Sequence, residues 1–83
     1  MLLDLHRADK PGRVDGTFYP KKSSLTVAQR KYDLGSVEKC RVWARSMAAR
    51  LGDPNMTRSD YECGIDFIEY KSAGMRMYKN TVR

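Results

Sequence analysis

Histidine occurs once in the 83 residues, tryptophan once, cysteine twice and proline three times. These shortages exclude most of the chemistry that a small chain could carry. With His6 as the sole imidazole, a cysteine–histidine nucleophile would need His6 beside Cys40 or Cys63 and a third group to orient it. Two cysteines and one histidine fall short of a four-ligand structural zinc site, and no two of them are close in sequence. The six glycines stand apart at turn-like positions and form no phosphate-binding loop. In a strand Asp66 and Glu69 project to opposite faces, and Glu62 and Asp66 read as a solvated edge, so neither is a working carboxylate pair. The chain reads as non-enzymatic, with no cofactor and no metal site. No apolar run approaches the ~20 residues that a bilayer-crossing helix requires. The opening MLLDLHRAD has neither the basic start nor the long apolar middle of a secretory signal. Internal repeats and low-complexity tracts are missing as well.

What is present is one strong amphipathic helix over residues 36–51. Ser36 is a good N-cap, because its hydroxyl can accept a hydrogen bond from a first-turn amide that has no helical partner. Glu38 lies in the first turn, where the positive end of the helix favours an anion. Val37, Cys40, Ala44, Met47 and Leu51 then recur at spacings of three and four, with Trp43 and Ala48 widening the stripe. Gly52, followed by Asp53-Pro54, supplies the stop.

The C-terminal part alternates as a strand should. Tyr61, Cys63, Ile65 and Phe67 share one face, with Glu62, Gly64 and Asp66 on the other. Residues 71–74 read as a hairpin loop closed by Gly74, and residues 75–82 return as a second strand. The expected fold is a small α+β domain, with the helix packed on an antiparallel hairpin over residues 61–70 and 75–82. A two-stranded hairpin is marginal alone, so a further N-terminal strand is expected from residues 2–7 or 16–20. The expected core is Val37, Cys40, Trp43, Ala44, Met47, Leu51, Ile65 and Phe67.

The N-terminal third reads differently. Residues 8–24 contain Pro11-Gly12, Asp15-Gly16, Pro20 and Lys21-Lys22, which is turn chemistry and solvated charge. Residues 1–24 are therefore expected to form a strand and an extended basic arm, leaving 25–83 as the compact body of one domain. Residues 25–33 are a candidate for a short helix, with Ser24 as its cap, Leu25, Ala28 and Tyr32 on one face, and Gly35 at its end.

Cys40 lies on the helix stripe and Cys63 on the apolar face of the first hairpin strand. They are a candidate disulfide; the other reading is two reduced cysteines packed as small hydrophobes. Localisation follows from that choice: cytoplasmic if they are reduced, periplasmic or extracellular if they are bonded. The net charge of +6 is spread along the chain. Basic outnumber acidic side chains by seven to four over residues 1–35, five to three over 36–60 and four to three over 61–83. Such a balance suits an acidic macromolecule, with a protein favoured over nucleic acid because the polar arm suggests docking. The partner-binding candidates are Phe18, Tyr19, Lys21, Lys22, Arg41 and Arg45. Two alternatives stand beside this interaction subunit. One is a winged helix-turn-helix nucleic-acid binder, with residues 25–33 as its first helix. The other is a secreted or periplasmic binding domain stapled by Cys40 and Cys63.

Overall fold

The computed structural model describes residues 7–24, 27–70 and 75–83. Helix α1 spans Val37–Arg50 and begins as its sequence dictates. The Ser36 hydroxyl accepts a hydrogen bond from the Lys39 amide at 3.1 Å. At the other end Gly52 takes a left-handed backbone, φ 72°. That turn lets the Gly52 amide donate to Ala49 at 3.0 Å and the Asp53 amide donate to Ala48 at 2.9 Å, so carbonyls left open by the last turn are satisfied. Asp53 organises the connector that leaves the helix. Its carboxylate accepts from the amides of Thr57, Arg58 and Ser59 and from the hydroxyls of Thr57 and Ser59, all within 3.0 Å. These bonds, led by the Ser59 hydroxyl, hold its pKa far below the usual carboxylate range despite the opposing effect of burial.

Four antiparallel strands make the sheet: β1 (Arg7–Tyr19), β2 (Gln29–Lys31), β3 (Asp60–Tyr70) and β4 (Met75–Val82), in the spatial order β2-β1-β3-β4. The α+β class and the C-terminal hairpin agree with expectation. The further N-terminal strand expected from residues 2–7 or 16–20 is also present as β1, but it is longer than either segment and takes in the residues between them. Residues expected to form an extended arm instead run through an inner strand, where β1 pairs with β3 from Arg7↔Tyr70 to Tyr19↔Asp60. Both supposed turns have other uses. Pro11 and Gly12 fall where the register shifts between Lys10 and Val14, a bulge in which a missing proline donor costs little. Gly12 adopts φ 78° there, and its amide donates to Asp66 at 2.6 Å. Gly16 is not a turn residue either: a Cβ at this position would lie 2.4 Å from the Trp43 ring, so the glycine makes the seat for the indole.

The helix expected over residues 25–33 is also corrected. Gln29–Lys31 is a strand pairing with Gly16–Phe18, and Val27 and Ala28 precede it outside any helix. Three consecutive residues of an edge strand are exposed, and tertiary pairing outweighs the weak local helical pattern. Leu25, residues 2–6 and the hairpin loop 71–74 lie outside the described residues.

The core sits between α1 and one face of the sheet. Val14, Cys40 and Cys63 form one buried cluster, flanked by Leu34, Val37, Tyr61, Ile65 and Val82. Phe18, Ala44 and Ala48 form the other, flanked by Trp43, Met47, Met56 and Tyr61. The Cys40 and Cys63 sulfurs lie at bonding distance, 2.08 Å, and join helix to sheet. Two expected core residues go elsewhere. Leu51 is 50% exposed, because α1 ends there beyond the strands it covers. Phe67 is buried, but it packs with Tyr78 and Arg13 rather than under the helix. Asp66, at φ 59°, interrupts the alternation just before it.

Candidate functional site

Charge is distributed unevenly between the inside and the outside of the molecule. Several carboxylates are committed to internal bonds. Asp53 closes the turn after α1, as described. Asp15, 3% exposed, accepts from Arg13 Nε at 2.9 Å, the Tyr78 hydroxyl at 2.6 Å and the Asp33 amide at 2.7 Å. Burial alone would raise its pKa, yet these bonds and the Arg13 charge outweigh that effect and hold it below the ordinary value. Glu62 accepts from the Tyr19 hydroxyl at 2.7 Å, which pushes the phenol's pKa up. Asp60 pairs with Arg83, and Asp66 accepts from Gly12. Among the carboxylates whose side chains are described, Asp15 and Asp53 are buried, Asp60, Glu62 and Asp66 are half-buried, and Asp33 and Glu38 are exposed, whereas Lys21, Lys22, Arg30, Lys31, Lys39, Arg45, Arg50, Arg58 and Lys79 all project into solvent.

The expected contact residues separate when placed on this surface. Phe18 is fully buried under α1, edge-on to Trp43 with ring centroids 6.5 Å apart, so it serves the core and presents nothing to a partner. Its position in β1 explains this: Val14, Gly16 and Phe18 alternate on the helix-facing side. Tyr19 is half-buried and bound to Glu62. The Arg41 guanidinium donates twice to the carbonyl of Arg83, at 2.6 and 3.1 Å, tying α1 to the end of β4. Arg45 is exposed on the outer side of α1. Lys21 and Lys22 are exposed in the turn after β1, and the Lys22 amide donates to the Arg58 carbonyl at 2.8 Å. That bond draws the lysine pair toward the far end of α1. Arg41, some ten residues up the helix from that end, is roughly 15 Å away along its axis.

Among the described residues, two hollows bear on these side chains. One, of about 280 Å³, is lined by Glu62, Thr81, Val82 and Arg83. The other, of about 210 Å³, lies at the C-terminal end of α1 and is lined by Pro20, Lys21, Leu51, Asp53 and Arg58. The sequence reading missed Leu51 and Arg58 as surface features. Leu51 carries the helical spacing of a core residue, and nothing local marks where the sheet beneath it ends. Arg58 stands in a connector whose course depends on the Asp53 carboxylate.

A second constellation lies across the sheet from α1. Arg13 stacks over the Phe67 ring at 4.6 Å and the Tyr32 ring at 5.6 Å, and it holds Asp15 by charge. Tyr78 lies against the bare backbone of Gly64, where a Cβ would come within 2.5 Å of its ring. Burial and the bond to Asp15 push its phenol well above the usual range. This network is closed on itself and anchors β4 and the β2–α1 connection to β1. Among the described residues no three His, Cys, Asp or Glu side chains are grouped to hold a metal ion, and no helix is long and apolar enough to cross a membrane. Compared with family models, curated proteins and solved structures, the chain matches none of them.

Proposed function

We propose that this protein is a non-enzymatic binding module that docks on an acidic macromolecule, with a protein favoured over nucleic acid. The observation that carries this reading is the sorting of charge: carboxylates turned into internal bonds, and lysines and arginines left on the outside. With a net charge of +6, such a surface attracts a polyanion at long range. The contact residues are Lys21 and Lys22 in the turn after β1 and Arg45 on α1, with Arg58 added by its place beside the lysines. Phe18 is fully buried and makes no part of this surface. The Cys40–Cys63 bond favours work in an oxidising compartment, which joins the stapled-domain alternative to the same binding role. A helix-turn-helix is disfavoured, since the segment meant to supply its first helix contains β2.

Binding of the full chain to labelled poly-glutamate and to duplex DNA tests the reading, with salt raised from about 50 to 200 mM. A salt-sensitive association with either polyanion is expected. No association with either at the lowest salt would remove the proposal.

A further inference from the structure

We infer that the hollow at the C-terminal end of α1 seats an apolar side chain carried by an acidic segment of the partner protein. The inference rests on the binding role proposed above and names where and how the partner is gripped. Its floor is apolar: Pro20 and Leu51 line it, and Leu51 is a large side chain left 50% exposed. Its rim is cationic, with Lys21 and Arg58 both exposed. The one carboxylate in the lining, Asp53, is buried, accepts hydrogen bonds from Thr57, Arg58 and Ser59, and keeps its charge 3.9 Å from Arg58 Nε, so the two exposed cations outnumber it. The negative end of the helix is muted as well. The Ala49 and Ala48 carbonyls accept from the Gly52 and Asp53 amides, and the Arg58 guanidinium donates to the Gly52 carbonyl at 3.3 Å. An anion approaching here therefore meets cations.

Size narrows the occupant. At about 210 Å³ the hollow lies below the range of small-molecule pockets and suits one side chain. A nucleic-acid backbone would satisfy the rim and leave the apolar floor uncovered. An apolar residue flanked by aspartates or glutamates satisfies both, which is why an acidic protein segment is the fitting partner.

The test uses the full oxidised chain and two fluorescein-labelled peptides. One is a short run of glutamates and aspartates with a central phenylalanine; the other has alanine in its place. The expected result is that the phenylalanine peptide binds about tenfold more tightly. Leu51→Ser should erase that difference while sparing the salt-dependent part, and Arg58→Ala should weaken both peptides. Both substitutions are at exposed positions, and a thermal melt confirms that each variant folds. Equal binding of the two peptides, or a preference that survives Leu51→Ser, would overturn this inference and leave the polyanion reading intact. Failure of both peptides and of duplex DNA to bind would overturn both.

Discussion

The two faces of the sheet are held by different physics. Under α1 the contacts are apolar: Val14, Phe18, Ala44 and Ala48 are buried, Trp43 lies on Gly16, and the Cys40–Cys63 bond joins the layers. On the opposite face there is no helix among the described residues. There Arg13, Asp15, Tyr32, Phe67 and Tyr78 form a knot of rings and charge over Gly64. Length accounts for the division. Fourteen helical residues reach roughly 20 Å, whereas thirteen residues of β1 reach roughly 40 Å, so one helix leaves much of the ribbon uncovered. A chain this small secures the rest with a satisfied polar network; among the described residues every buried side-chain polar atom has its partner.

The contrast between the faces breaks most sharply at the disulfide. Replacing Cys40 and Cys63 by alanine frees a loop spanning 23 positions and should cost about 3 kcal/mol in the chain-entropy picture. Against a total of about 5 kcal/mol, this would remove more than half of the stability and leave about 2 kcal/mol, with the domain still mostly folded at room temperature. Urea unfolding with and without reductant measures the loss. An unchanged midpoint would mean that the polar face carries more of the stability than its size suggests.

On the other face Asp15→Ala should cost about 2 kcal/mol, because Arg13, Tyr78 and the Asp33 amide lose a shared acceptor. The same urea series reads it, and Tyr78→Phe, which removes one hydroxyl bond, should cost about 1 kcal/mol. If the two changes made together cost clearly less than their sum, the network acts as a unit. The glycine seats sharpen the symmetry between faces. Gly16→Ala crowds Trp43 and Gly64→Ala crowds Tyr78, each by about 1–3 kcal/mol, and thermal melts should rank them together. Trp43 fluorescence should shift only in the first.

Acid gives the smallest and most selective effect. The folded pKa of Asp15 is lowered, so its stabilising contribution is present above the unfolded value near 3.8 and is lost as pH falls through the lower folded value. Asp53 behaves in the same way. Stability should therefore hold through neutral pH and decline below about pH 4. In Asp15→Asn the acid decline should be shallower, the remainder belonging to Asp53. A decline of equal depth in that variant would mean that the helix-free face is indifferent to acid.

Much of this architecture was legible in the residues. The N-cap at Ser36, the stop at Gly52 and the stripe between them specify α1, because capping and periodicity act over one or two turns. The alternation from Tyr61 and the return after residue 74 likewise specify β3 and β4, and the cysteines fall on facing surfaces. Of the residues proposed as contacts, Lys21, Lys22 and Arg45 are exposed, while Phe18 and Tyr19 looked available only because their surroundings in β1 read as an arm. Arg13 and Asp15, two apart in a strand, carried a signal for a same-face pair that the turn reading of Asp15-Gly16 obscured.

The sequence by itself thus determined the elements whose causes are local: the capped helix, the alternating hairpin and the basic charge balance. Tertiary structure alone decided the inner place of β1, the strand at residues 29–31, the exposure of Leu51 and the side on which Phe67 is buried. Each of these depends on a partner distant in the chain. Gly16 reads as a turn until Trp43 lies on it, Gly12 until Asp66 accepts its amide, and Leu51 reads as core until the strands beneath it run out. Local sequence carries propensity and period, whereas long-range pairing decides which surfaces meet.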